Sequence, residues 1–284
     1  MKMLVSHESP LELLESSLNY NDYQYCLVHL MELDDEYRDW FLNVNKRFGA
    51  DVLLDNSIFE LGESFDPDKY AFWLQEINPN FYIVPDVLEN AHETMNKWTE
   101  WELMHMPANN SSLRIGVVQG KDWNDLVECY QFMSAEADYI AISFDYSYYH
   151  NTGVGGNKLD RWCTGRQRFI QHLIDEGIWN WNKPHHLLGC SLAKEFGYYT
   201  DKNIYNIRSC DTSNPVVAAL HGLRYNSDQG LQVKPSTMLC DLIKAEVDDD
   251  IRELTRYNTT MFKHIVGRRD EKTLSLQPHA HDDY

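Results

Sequence analysis

The chain has 284 residues, 43% hydrophobic and 24% charged, an ordinary globular balance, and its formal charge of −19 argues against a general nucleic-acid binder without excluding a local basic patch. No apolar run reaches the length of a membrane span, and Met1 to Pro10 lacks the basic and apolar regions of a signal peptide, so a cytoplasmic protein is expected. Cys26, Cys129, Cys163, Cys190, Cys210 and Cys240 form no C-x-C or C-x-x-C pair, the pattern of reduced, buried thiols rather than of a disulfide framework.

Short apolar runs that stop at a polar residue recur along the chain. Met1-Lys2-Met3-Leu4-Val5 stops at Ser6-His7, Tyr25-Cys26-Leu27-Val28 at His29, Val52-Leu53-Leu54 at Asp55, and Phe81-Tyr82-Ile83-Val84-Pro85 at Asp86. Arg114-Ile115-Gly116-Val117-Val118 stops at Gln119-Gly120, Tyr139-Ile140-Ala141-Ile142 at Ser143, His186-Leu187-Leu188-Gly189 at Cys190, and Ile204 to Cys210 at Asp211. Helical patterns lie between them: Pro67 to Ile77 after an Asp66 N-cap, Leu88 to His105, Trp123 to Ser134, Leu159 to Asp175, a short one around Leu192 to Tyr199, and Pro215 to Leu223. Eight strands alternating with helices predict an α/β fold, a (β/α)8 TIM-like barrel over 1–235. A C-terminal helical extension of the same domain is expected at 236–266, and a polar, flexible tail at 267–284. The glycine-rich stretch Asn151 to Asn157 fits neither a dinucleotide fingerprint nor a P-loop and reads as a lid.

In such a barrel the strand ends converge on one rim, gathering Asp55, Asp86, Gln119, Ser143 and Asp211 with His7 and His29 nearby. A single strand-end Asp is commonly a helix cap, but three at one mouth point to a site. Two carboxylates about 5 Å apart suit a double displacement at a sugar carbon, one as nucleophile and one moving a proton. The third suits recognition of a base through its N–H groups, and Phe59 is placed to stack on a planar ring or simply to fill the core. For a metal there is little: His185 and His186 are adjacent on a strand and point to opposite faces, so they do not share an ion. Lys158, Arg161, Arg166 and Arg168, around Trp162, with Arg208 and Arg224 further on, are the candidate contacts for nucleic acid, or a solvated helix face.

These residues carry a resemblance. Leu54-Asp55-Asn56-Ser57-Ile58-Phe59-Glu60 resembles the Asp-Ser-Gly-Gly-Phe/Tyr-Gln motif of tRNA-guanine transglycosylases, and Gly116-Val117-Val118-Gln119-Gly120 resembles their Gly-Ile-Gln-Gln-Gly strand. His186-Leu187-Leu188-Gly189 is similar to their Tyr-Leu-Met-Gly, and Cys210-Asp211-Thr212-Ser213-Asn214-Pro215 to their Phe-Asp-Cys-Val-Leu-Pro, in the family's order. The resemblance implies a (β/α)8 barrel that exchanges guanine in nucleic acid for a 7-deazaguanine. By position it implies Asp211 as nucleophile on C1′ and Asp55 as general acid/base. It further implies base binding by Asp86, Gln119, Gly120, Ser143, Leu188 and Gly189 with Phe59 stacking.

Two departures direct the reading further. The tRNA enzymes carry a Cys-x-Cys-x2-Cys…His zinc site, of which this chain has only Cys240 and His264, so no cofactor and no structural zinc is expected. The strand ending at Ser143-Phe144 corresponds to one that ends in Gly-Gly in those enzymes. The short chain and the Asn-Ser-Ile-Phe-Glu variant resemble the DpdA-like DNA-guanine transglycosylases of bacteriophages, which insert preQ0-type bases into viral DNA against restriction. The expected partners are DNA, with tRNA as the alternative, and a free 7-deazaguanine base, with no membrane; the oligomeric state stays open. The rivals are a nucleic-acid N-glycosidase on the same barrel and a non-enzymatic barrel that binds a nucleobase or a protein.

Overall fold

The apolar runs pair as parallel strands: β1 Leu4–Ser6, β2 Gln24–Leu27, β3 Val52–Asp55, β4 Phe81–Ile83, β5 Leu113–Val118, β6 Tyr139–Ile142, β7 His185–Leu187 and β8 Ile207–Asp211. This computed structural model describes residues 3–190, 192–226, 230, 231, 235 and 237–267. The expected tail falls outside them except for Gly267. The strand order β1-β8-β7-β6-β5-β4-β3-β2, with helices outside, makes a nearly closed (β/α)8 barrel. Every residue of β2 and β3 is buried, as strands covered by helices on one face and barrel core on the other must be.

Among the described residues no ladder joins β1 to β2; a seam of mixed backbone and side-chain bonds does the work instead. The Asp22 N–H donates to the Val5 carbonyl (2.9 Å), the Val5 N–H donates to the Asp22 carboxylate (2.8 Å), and the Ser6 hydroxyl donates to the Tyr23 carbonyl (2.6 Å). Tyr23 then crosses to β8, its hydroxyl donating to the Cys210 carbonyl at 2.8 Å.

Acceptor side chains set the helix starts. Asp34 caps Asp35–Phe48, Asp66 caps Pro67–Ile77, Asp122 caps Trp123–Glu136 and Asn157 caps Lys158–Asp175, each accepting from backbone N–H groups of the first turn. The helix expected from Leu88 begins at Ala91, because Asn90 takes the cap, and its last turn, Trp101–His105, widens to a π-helix. The helix expected over 192–199 spans Lys194–Asp201, and the one expected over 215–223 spans Asn214–Leu220.

The helical pattern after 236 is broken. A 3-10 turn, Leu239–Leu242, precedes Asp249–Ile265, whose start is fixed by the Asp248 carboxylate. That last helix is stitched to the barrel: the Asn258 amide donates to the carbonyls of Pro215 (3.2 Å) and Leu223 (2.9 Å), and Phe262 packs edge-on to His7 at 5.0 Å.

The glycine-rich stretch is fastened down, contrary to a free lid. Asn151 and Thr152 finish the Ser147–Thr152 helix. Val154 is then pinned to Thr164, whose hydroxyl donates to the Val154 carbonyl (2.6 Å) and accepts from the Val154 N–H (2.8 Å). Behind it Gly165 lets Lys158–Asp175 lie directly on the shorter helix, since a Cβ there would fall 2.1 Å from the Tyr149 carbonyl oxygen. Gly165→Ala is therefore expected to cost roughly 1–3 kcal/mol. It should appear as a lower urea midpoint with an unchanged slope.

Candidate active site

Register brings the strand ends to one height. Asp55 pairs with Leu27, and Asp211 pairs with Ser6 at the opposite side of the β1–β2 seam. Both face a cavity of about 450 Å³ at the C-terminal mouth, within the range of small-molecule sites. Glu8, Asp55, Glu60, Asp86, Asp145 and Asp211 line it, against one ammonium, that of Lys158, among the described residues.

The two strand-end acids have different surroundings. Asp211 receives the Gly189 N–H (3.1 Å) and the His186 Nε2 (2.9 Å), both on Oδ1, which leaves Oδ2 for the cavity. His186 Nδ1 lies 2.8 Å from the Ser209 hydroxyl. The tautomer that satisfies both contacts accepts from Ser209 and donates from Nε2 to Asp211.

Asp55 receives the Tyr25 hydroxyl on Oδ2 at 2.5 Å and the Ser57 N–H on Oδ1. Burial nonetheless pushes its pKa well above the usual carboxylate range, Glu60 adds to the rise, and the two hydrogen bonds pull back only in part. The protonated form of Asp55 is thereby favoured relative to a carboxyl in water. Glu60 is pushed up to about 7 by burial, with Asp211 adding to the rise. Its Oε2 is buried without a hydrogen-bond partner among the described residues.

A third acid sits deeper. Asp86 receives the Asn56 amide (2.7 Å) and the Gln119 amide (2.6 Å), and burial raises it to about 6 against those bonds. Gln119 is oriented in turn by the Glu89 N–H, which donates to its Oε1 at 2.7 Å.

A tight turn delivers the aromatic wall. Ser57 adopts φ 59, and the single helical turn Ile58–Leu61 then presents Phe59 and Glu60 to the cavity. Phe59, 47% exposed, faces Phe144 at 6.2 Å, and Phe144 meets Trp162 edge-on at 5.6 Å. Gly189, at φ 67, leaves the room that Phe144 occupies, because a Cβ there would lie 2.5 Å from the ring. Lys158 Nζ rests 4.1 Å above the Trp162 ring.

Asp55, Asp86, Asp211, Phe59, Gln119, Ser143, Leu188, Gly189 and Lys158 are therefore brought to one cavity. Other expected residues lie elsewhere. Gly120 is a packing glycine rather than a base contact: its Cβ position is 2.8 Å from Asp125 and Leu126 of the following helix. Arg166 cannot touch nucleic acid, being fully buried in an ion pair with Glu195. Arg208 is the second residue of β8, three before Asp211, and lines a depression with Leu4 and Tyr139 at the far end of the barrel. Arg161 and Arg168 are exposed beside Lys158, with Arg168 donating to the Thr152 carbonyl at 2.7 Å. His7 is enclosed, its Nδ1 2.8 Å from the Thr212 carbonyl, and burial lowers it to about 3.

Sequence reasoning passed over His186, Glu60, Tyr25 and Asn56. The two adjacent histidines do point apart: His185 stacks on Trp179 at 3.8 Å, while His186 reaches Asp211. The signal was that one of such a pair must face the barrel interior. Among the described residues no three His, Cys, Asp or Glu side chains group as metal ligands. No family model matches this chain, and no curated protein matches it.

The Glu60 carboxyl binds its proton more tightly in the folded chain, so stability falls as pH rises from about 4.5 to about 7 and stays at the lower level above. Glu60→Gln is expected to stabilise the protein at pH 8 by roughly 1–3 kcal/mol and to be neutral below pH 4. Denaturant midpoints across that range check it.

Proposed function

We propose that the chain is a DNA-guanine transglycosylase that exchanges guanine for a free 7-deazaguanine of the preQ0 type, modifying bacteriophage DNA against restriction. The observation that carries the reading is the difference between two carboxylates of one cavity: Asp211 accepts from His186 and the Gly189 N–H, and Asp55 is buried with its pKa pushed well above the carboxylate range. A double displacement at an anomeric carbon needs such a pair, one carboxylate to attack and one acid to move a proton. The ordered resemblance of four motifs to the transglycosylases, with Asp55 and Asp211 in two of them, supports the same chemistry.

In the first half, Asp211 Oδ2 bonds to C1′ as the C1′–N bond breaks, and Asp55 gives its proton to the departing guanine. In the second, the incoming base attacks C1′ from the vacated face, returns its proton to Asp55, and releases Asp211. Two inversions give net retention. Asp86, Gln119 and Asn56 offer a set of acceptors and donors for the edge of the base, and the ring of Phe59 offers a face to stack on. Reaching C1′ in a duplex requires flipping the nucleotide, a few kcal/mol of unstacking. Lys158 lies at the mouth and Arg161 and Arg168 follow on the same helix face, which is where a phosphate chain could lie against an acidic protein. DNA is favoured over tRNA because the Cys-x-Cys-x2-Cys motif of the tRNA enzymes is absent from the sequence.

Denatured protein from incubation with guanine-containing DNA is expected to carry a covalent nucleic-acid adduct by mass spectrometry, which added 7-deazaguanine discharges into DNA. Asp211→Asn should abolish the adduct and slow base exchange by at least about a thousand-fold. Exchange on tRNA alone would move the substrate, release of free base without incorporation would favour a hydrolase, and parent-rate exchange by Asp211→Asn would remove the nucleophile.

A further inference from the structure

Arg166 and Glu195 are both wholly buried, with no exposed atom in either side chain. Replacing such a pair with apolar residues often costs nothing, so its retention calls for a role beyond stability. The role follows from where the guanidinium spends its donors. Nε and one Nη2 N–H grip the Glu195 carboxylate at 2.6 and 3.1 Å. The remaining three N–H groups go to backbone carbonyls: Nη1 to Ile142 (3.0 Å) and Leu188 (3.1 Å), and Nη2 to Gly189 (3.1 Å). All five donors of the group are used, and a lysine has only three.

Those three carbonyls close β6 and follow β7. The residues after Ile142 are Ser143 and Phe144, one wall of the cavity, and Leu188 and Gly189 form the next. The Gly189 N–H is one of the two donors to Asp211. Gly189 must also hold φ 67 to leave room for the Phe144 ring. Glu195 is itself steadied by the Tyr199 hydroxyl at 2.8 Å.

We infer that Arg166 is a positioning residue: by binding the carbonyls of Ile142, Leu188 and Gly189 from behind, it fixes the two strand ends that wall the cavity and aims the Gly189 N–H at Asp211. It touches no reacting atom. The inference rests on the transglycosylase reading only for the reaction it serves; the ordering of the strand ends is a property of the fold.

The test uses the full chain carrying Arg166→Lys, with Tyr199→Phe as a milder variant that loosens Glu195 and leaves Arg166 in place. Hydrogen exchange resolved to peptides over 142–145 and 185–190 is expected to quicken by about ten-fold or more in Arg166→Lys, with other barrel strands unchanged. Adduct formation per folded protein should fall about ten-fold or more, while affinity for free 7-deazaguanine changes by less than about three-fold. Tyr199→Phe should move both readouts the same way by less, and it decides the matter if the lysine variant does not fold. Unchanged exchange at 185–190, or faster exchange with adduct formation at the parent rate, overturns the inference. So does an equal loss of base affinity and rate, the mark of general unfolding. If the parent protein forms no adduct with any nucleic acid, the reaction is wrong, and the exchange at 185–190 alone decides whether Arg166 orders the strand ends.

Discussion

A carboxyl group taken out of water is pushed towards its protonated form. Asp55 meets that condition at the end of β3, where a tyrosine hydroxyl and one backbone N–H are its hydrogen-bond donors and Glu60 crowds it from the next turn. Asp211, also buried, instead has His186 and the Gly189 N–H against it. The same strand-end position therefore meets different surroundings on the two strands. Nothing in the identity of the residue distinguishes them; the neighbours do.

Such a mouth works against the stability of the barrel that holds it. Glu60 is buried with an oxygen unmet, Ser57 is held at φ 59, and Asp55 is dehydrated in company with other acids. Each of these is a local expense that a well-packed surround has to offset. The surround is visible in the fully satisfied Arg166–Glu195 pair, in Asn258 bridging two carbonyls, and in Phe262 closing over His7. The last helix, remote in sequence from the strand ends, therefore belongs to the same structural unit as the site. Leu239, from the turn before it, lines the cavity itself.

The strand ends were legible because a buried parallel strand is a short apolar run with an abrupt polar stop, and Asp55, Asp86 and Asp211 are such stops. Caps such as Asp66 were legible for a local reason, a side-chain oxygen two or three residues from the N–H it accepts. Arg166 was misread because charge was weighed above position. It shares the core stripe of its helix with Cys163, Ile170 and Leu173, at spacings of three, four and seven, and the stripe alone placed it inside. Glu60 and His186 were harder, since their significance lies in contacts across the barrel. What sets Asp55 apart from Asp211 is the company each keeps, and that company is not written in the local pattern.

The pairing of β1 with β8 has a consequence for how the protein comes into being. Leu4 lies opposite Ser209 and Ser6 opposite Asp211, so the first strand waits for the last before it gains a ladder. A nascent chain reaching Asp86 already carries two of the cavity's strand-end acids, yet it lacks Asp211 and has an open edge along β1. Contacts of such long sequence separation form late. The acid-lined cavity is thus withheld from every partial product on the ribosome and is complete only when the two ends of the barrel meet.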